Sequence, residues 1–312
     1  MPRIIHRDAD ALLQALPAAI RVVLSVAVAA ADGARLALVG GSVRDLALAL
    51  PLDYDLDLVV EGDAPTLARR LARQLNGTVE AEHAAFGTAT LRAPLGERAA
   101  LIDVTSARRE TYAHPAALPA VAPAALDDDL VRRDFSLNAM ALELFPDSLS
   151  DLLARLLDPL GGLRDLEAGQ LRVLHDASFR DDPTRILRGL RLAARLGLHW
   201  EPHTNKLLRG ALDDGMLERT SPERVCAELC LALAEPHPAH VLERADQSRV
   251  TPHIFPALHW TPPQHVRWQR AQVALAIEAA LAKPSLALGL LTYELDELER
   301  EALRQRYRLP GD

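Results

Sequence analysis

Two carboxylates, Asp55 and Asp57, stand two residues apart in the otherwise apolar run Asp55-Leu56-Asp57-Leu58-Val59-Val60. Alternate side chains of a strand project from one face, so both acids point the same way. Such a pair repels itself unless a cation lies between, and Mg²⁺ favours oxygen ligands of this kind. Ions held there would activate an attacking hydroxyl and stabilise a departing pyrophosphate. A solvated strand edge would show the same acids with no chemistry, and Asp53 shares their parity. Asp103, in Leu101-Ile102-Asp103-Val104, reads equally as a third carboxylate or as an exposed acid. Upstream, Gly40-Gly41-Ser42-Val43-Arg44-Asp45 lies where an apolar strand turns into a helix. Glycines let the backbone approach a phosphate, and a helix start aims N–H groups at it. Arg44 would add a charge-assisted contact, although a plain tight turn also accounts for the glycines.

A second constellation is Asp181-Asp182-Pro183-Thr184-Arg185. Its simplest use is a helix start, an acidic cap with proline in the first turn, and a surface ion pair between Asp182 and Arg185. The same two side chains also complement cytosine and adenine, which both place an amino donor beside a ring-nitrogen acceptor. Uracil and guanine present a carbonyl beside an N–H and would be rejected. Arg132-Arg133-Asp134 precedes an expected short strand carrying Asn138, and two arginines there would hold phosphate or ribose or simply face solvent. His175-Asp176 has the form of a metal phosphohydrolase dyad, but the further spaced ligands are not evident, so it reads as incidental.

The elements that must position these residues follow from periodicity. Residues 35–41 read as a strand, 42–50 as a short helix and Leu56–Glu61 as a second strand. Asp63-Ala64-Pro65 starts an amphipathic helix to about Leu75, capped by Asp63. Three strands follow, near Thr78–Glu82, Gly87–Ala93 and Ala99–Thr105. After about residue 145 the strand signal disappears, and helix-length runs are broken at Pro183, Gly197, Pro202 and Pro222. Pro262-Pro263 marks a late boundary, with two more helices expected beyond it. The chain therefore reads as an α/β head followed by an all-α remainder.

Composition sets outer bounds. The 312 residues are 49% hydrophobic and 25% charged with only 4% aromatic, as in a globular protein of more than one domain. Nearly all positive charge is arginine. The formal net charge of −8 does not advertise a nucleic-acid binder, but arginine concentrates between Arg164 and Arg209 and favours a local basic region. Cys226 and Cys230 cannot build a disulfide framework or a zinc site alone and read as small buried residues. Ala18–Ala31 is apolar but short and contains Arg21, which fits an amphipathic helix rather than a signal peptide or membrane span. A cytoplasmic protein with no membrane partner is expected.

Taken in order, these segments resemble the class II tRNA nucleotidyltransferase and bacterial poly(A) polymerase family, within the polymerase β-like superfamily. The resemblance runs from about Leu36 to Glu228. It includes Gly40 to Asp45, Asp55 to Asp57, Ala107 to Tyr112 and Arg132 to Ala139. Asp158-Pro159 with Gly161-Gly162 and Asp165, Asp181 to Arg188, and Ser221 to Arg224 complete it. It implies a polymerase β-like nucleotidyltransferase head over residues 1–145, a helical neck with the nucleotide-recognition motif over 146–215, and a helical body with a shortened tail over 216–312. Asp55 and Asp57 would be catalytic and hold Mg²⁺. Gly40, Gly41, Ser42 and Arg44 would bind the triphosphate, and Arg132, Asp134 and Asn138 the ribose and nucleotide. Asp182 and Arg185, with Arg188 a turn further on, would recognise CTP and ATP, while Glu223 and Arg224 would support the neck.

The implied reaction is attack of a tRNA 3′-hydroxyl on the α-phosphate of CTP or ATP, without a template. Family members differ in product: complete CCA addition is expected first, A-only addition next, CC-only third and poly(A) synthesis last. A loop at Thr111–Asp129 without obvious deletion argues against the CC-only form. The stop at Asp312 is earlier than in full-length bacterial members, so either the tail is shortened or RNA is held differently, a partner being one way to do so. A non-catalytic RNA-binding relative would show decay of the acidic pair, which is intact. A small-molecule nucleotidyltransferase would lack the Asp182–Arg185 motif.

Overall fold

The computed structural model describes residues 6–52, 54–147, 152–277 and 288–308; Asp53 lies outside them. The chain divides into two compact units. One comprises Pro2–Thr111 with Pro119–Leu174, and the other comprises Tyr112–Leu118 with the residues from His175 onward. The first unit thus continues past residue 145, where the sequence places the end of the head.

The first unit is built on a seven-stranded sheet. In chain order its strands are β1 (Leu36–Val39), β2 (Asp55–Val60), β3 (Thr78–His83), β4 (Thr88–Leu95) and β5 (Arg98–Ser106). A separate hairpin pairs β6 (Arg108–Thr111) with β7 (Ala120–Pro123), after which β8 (Ala141–Phe145) and β9 (Leu153–Leu157) complete the sheet. The spatial order is β3-β4-β5-β2-β1-β8-β9, antiparallel except between β2 and β5. All four residues of β1 are buried, as a central strand covered on both faces requires.

Helices α1 (Ala9–Ala15), α2 (Ala18–Ala30), α3 (Gly41–Ala47) and α4 (Ala64–Gln74) supply apolar residues to the main core. Along α4, Ala64, Leu67, Ala68 and Leu71 recur at three- and four-residue spacing and are buried. They pack on β3, β4 and β5, and Leu71 alone is worth about 2–5 kcal/mol against alanine. The apolar α2 also buries Ile20, Val23, Leu24 and Ala27. Among the described residues no single helix is long and apolar enough to cross a membrane.

Three local expectations change. Asn138 lies in a 3₁₀ turn, Ser136–Asn138, and not in a strand. Side-chain bonds from Asp134, Asn138 and Ser136 compete there with a sheet ladder. Strand β9 falls beyond residue 145, because pairing with β8 overrides a leucine-rich run that reads as helical. Asp63 occupies the N-cap position of α4 without a side-chain cap. Its carboxylate takes the Thr66 hydroxyl, and Ala64 N donates instead to Ser106 Oγ at 3.1 Å.

The second unit is mainly helical. After α5 (Leu126–Val131) and α6 (Gly162–Glu167) of the first unit come α7 (Ser178–Asp181), α8 (Thr184–Leu196), α9 (Pro202–Asp213), α10 (Met216–Arg219) and α11 (Pro222–Leu233). Helices α12 (Pro238–Gln247), α13 (Thr251–Ile254) and α14 (Pro262–Ile277) follow, with a final helix over Glu297–Tyr307. The prolines and Gly197 fall at helix ends, as their missing donors and left-handed φ dictate. Helix α8 packs on α11 and α12. Arg191 bonds Glu228 at 2.9 Å and Glu235 at 3.2 Å, and Arg195 also bonds Glu235. The cysteines are not both buried: Cys226 is half-buried, Cys230 exposed, and both are free thiols. They lie outside the buried stripe of α11, which is Val225, Leu229, Ala232 and Leu233.

Candidate active site

The turn after β1 requires glycine twice over. Gly40 has φ +68°, a region costly for a residue with Cβ, and its N–H donates to Met140 O at 3.1 Å. A Cβ there would lie 3.2 Å from Arg133 Nη1 and 3.9 Å from Asp57 Oδ2. The backbone of the Gly-Gly turn is thereby set against a guanidinium and a carboxylate. Ser42 is buried, and its hydroxyl reaches toward the Asp55 carbonyl at 3.5 Å, tying α3 to the start of β2.

Asp55 and Asp57 are both solvent-accessible, with Leu56 buried between them, so the alternation read from sequence is realised. Parallel pairing of β2 with β5 aligns Asp57 with Asp103, placing a third acid on the neighbouring strand. The Thr90 hydroxyl donates to Asp103 Oδ1. Asp57 sits low among surrounding groups, and that desolvation lifts its carboxyl above the ordinary carboxylate value. Arg133 opposes the rise, while the Asp103 and Asp55 charges add to it. A cation is the natural partner of such crowded oxygens, and the donor set suits a hard divalent ion. Among the described residues no three His, Cys, Asp or Glu side chains converge into a ready-made cage. The two acids on β2 would supply only part of the oxygen set that such an ion needs.

Arg44 is buried and already engaged: its guanidinium bonds Asp45 at 2.8 and 2.9 Å and Asn138 Oδ1 at 2.7 Å. Asn138 in turn donates to Asp134 Oδ1 at 3.0 Å, which also accepts from Phe135 N at 2.8 Å. Arg44, Asn138 and Asp134 thus form one relay beside the Gly-Gly turn. The turn bearing Asn138 is held from below. Ser136 Oγ donates to the buried Asp165 at 2.7 Å, and Arg172 Nε bonds the same carboxylate at 2.8 Å. Asp158 accepts from Gly162 N and Leu163 N at the start of α6, and a Cβ on Gly162 would come 2.4 Å from Ser136 O.

The arginine doublet divides. Arg132 bonds Asp129 at 2.6 Å, Glu110 at 2.8 Å and Arg108 O at 3.1 Å, a buried network joining α5 to β6. Arg133, which the sequence offered beside Arg132 as a phosphate or ribose ligand but to which the resemblance gave no role, also holds Asp129, at 3.0 Å, but its Nη1 lies over Gly40. The doublet was the only signal in the sequence; which member faces the acids depends on how α5 ends.

In the second unit, Asp182 Oδ1 accepts from Thr184 N at 3.0 Å, Thr184 Oγ1 at 2.5 Å and Arg224 Nη2 at 2.7 Å. Asp182 forms an ion pair with Arg224. Arg185 is buried on α8 and Arg188, a turn later, is exposed. Of the His175-Asp176 pair, Asp176 lies 2.8 Å from His203 Nε2, and burial with the nearby Arg185 charge lowers the His175 pKa.

A mixed sheet carrying a glycine turn on one strand and paired acids on the next defines a nucleotidyltransferase head. Residues 36–172 match the poly A polymerase head domain, and residues 197–261 match the probable RNA and SrmB-binding site of polymerase A. The A-adding tRNA nucleotidyltransferase of Aquifex aeolicus is 43% identical over 72% of this chain and 26% of its own length. The CC-adding tRNA nucleotidyltransferase of Deinococcus radiodurans is 41% identical over 88% of this chain and 72% of its own. The Thermotoga maritima CCA-adding enzyme complexed with tRNA superposes with a TM-score of 0.79 at 33% identity, over 97% of this chain and 70% of that one. The chain belongs to the tRNA nucleotidyltransferase family of CCA-adding enzymes. It spans about a quarter of the Aquifex relative's length.

Proposed function

We propose that this chain transfers CMP and AMP from CTP and ATP to the 3′ end of tRNA, releasing pyrophosphate, with completed CCA as its product. The observation that carries this reading is the alignment of Asp57 with Asp103 across β2 and β5, with Gly40 and Arg133 beside Asp57. Asp55 and Asp57 would hold a divalent cation, Mg²⁺ by donor chemistry. When bound, that cation supplies Lewis-acid stabilisation of the phosphate charge. The chain's own residues do the rest. Amides of Gly40, Gly41 and Ser42 receive triphosphate oxygens, and Arg133 adds positive charge next to them. Arg44, Asn138 and Asp134 shape the ribose pocket as one relay, with Arg132 bracing it from behind. Asp182 and Arg185 read the base edge, accepting from the amino group and donating to the ring nitrogen common to C and A; Arg188 extends that face.

The long coverage of the CC-adding relative, 88% of this chain, favours a second reading in which only CMP is added and a partner enzyme supplies the terminal A. Three tRNA transcripts, lacking CCA, ending in C and ending in CC, distinguish these with Mg²⁺ and one labelled nucleotide at a time, then with CTP and ATP together. Completion to CCA on all three supports the first reading. Extension that halts at CC supports the second, and A added only to the CC transcript would overturn both. No transfer to any transcript refutes tRNA extension.

A further inference from the structure

The guanidinium of Arg224 joins the proposed base-reading acid to a distant segment of the same unit. One arm, Nη2, donates to Asp182 Oδ1 at 2.7 Å; the other, Nη1, donates to Ala116 O at 3.2 Å. Ala116 is itself unusual. Its φ is +61°, a left-handed conformation that disfavours any residue with Cβ, and its N–H donates to Arg180 O at 2.8 Å. A residue persists there only when its surroundings hold it, and both backbone polar groups of Ala116 are held, one of them by Arg224. Three donors converge on Asp182 Oδ1, from Thr184 N, Thr184 Oγ1 and Arg224. The carboxylate therefore cannot spin about its own axis, and the direction of its other oxygen, Oδ2, is set with it.

We propose that Arg224 is a positioning residue for nucleotide selection: it locks the Asp182 carboxylate so that Oδ2 meets the exocyclic amino group of cytosine or adenine, using Ala116 O as its second anchor. This rests on the reading of Asp182 as a base-recognising group. Without Arg224, Thr184 still holds one oxygen, but the carboxylate gains freedom to tilt and loses a counter-charge. A loosened acceptor discriminates poorly between an amino group and a carbonyl, because discrimination of this kind depends on a hydrogen bond of fixed geometry. The effect therefore belongs to the ratio between nucleotides and not to the overall rate.

The test uses the full chain with its tRNA transcript and measures kcat/KM for CTP against UTP and for ATP against GTP. Arg224→Met is expected to lower both ratios by about tenfold or more, chiefly through a raised KM for CTP and ATP. Arg224→Lys, a point charge that reaches one anchor but not both, is expected to fall between Met and the natural residue. Should the Met variant fail to fold, the Lys variant alone decides. Ratios unchanged within twofold, with all four nucleotides slowed in proportion and a lower Tm, would mean Arg224 merely braces α11 and would overturn the proposal. Unaltered protein that transfers CMP and AMP but shows no preference over UMP and GMP refutes base reading by Asp182, and with it this inference.

Discussion

At the scale of single residues, the structure separates accessible acids and cations beside the glycine turn from side chains tied into buried networks. On the proposed role of Asp57 in holding a cation, Asp57→Ala is expected to reduce nucleotidyl transfer by about a thousandfold or more, since loss of a metal ligand removes several kcal/mol of transition-state stabilisation. Circular dichroism and Tm should stay near those of the unaltered protein, because Asp57 is solvent-accessible and crowded by like charge. The arginine doublet gives a sharper contrast. Arg132→Ala breaks a buried network on Asp129 and Glu110 and should cost about 3 kcal/mol in denaturant titration. Arg133→Ala should leave more of the stability intact and instead raise the KM for nucleotide, as its Nη1 lies over the glycine turn. Equal thermal losses with equal KM values would contradict that division. The sequence revealed the acids through their two-residue spacing. It could not reveal the difference between neighbouring arginines, since adjacent residues leave a helix end in different directions and no periodicity marks which is inward.

At the scale of elements, the turn that carries Asn138 depends on a strut from α6. Asp165 on α6 is buried and bonds both Ser136 and Arg172, so it anchors the turn that carries Asn138. Asp165→Ala strands two donors and should cost about 2–4 kcal/mol, measured by urea unfolding, with activity loss following the loss of folded protein. The sheet offers a pH test. Glu143 in β8 is nearly fully buried; burial alone would raise its pKa, but hydrogen bonds from Arg35 and Arg155, helped by their charges, hold it below the ordinary value of 4.5. A depressed acid contributes stability above its unfolded pKa and loses it as pH falls through the folded one. Stability should therefore drain below about pH 4.5, and Glu143→Gln should be less stable at pH 7 and flatter across that acid range. A melting series from pH 7 to pH 3 checks both. Most element positions were readable from apolar periodicity and from proline and glycine. Strand β9 and the 3₁₀ turn were not, because each is decided by partners: β8 for one, and the Asp165 and Asp134 carboxylates for the other.

At the scale of the whole molecule, part of the arginine charge is neutralised by pairing within the chain. The arginine-rich stretch from Arg164 to Arg209 suggested a basic region, yet Arg172, Arg180, Arg191 and Arg195 each pair with an acid. Binding to tRNA should nevertheless fall steeply with salt, by about tenfold or more between 50 and 200 mM, in a filter-binding titration; salt-independent binding would point to a small-molecule acceptor. What the sequence determined by itself was the identity and order of the chemical groups, because glycine, aspartate and proline carry local rules that hold in any context: positive φ, two-residue alternation and helix starts. Tertiary structure alone decided which groups meet. Strand pairing brought Asp103 level with Asp57 across 46 residues of chain. Packing turned Arg133 toward Gly40 and Arg132 away, and folding carried Arg224 to both Asp182 and Ala116. Such contacts are set by the path of the whole chain, and no local spacing encodes them.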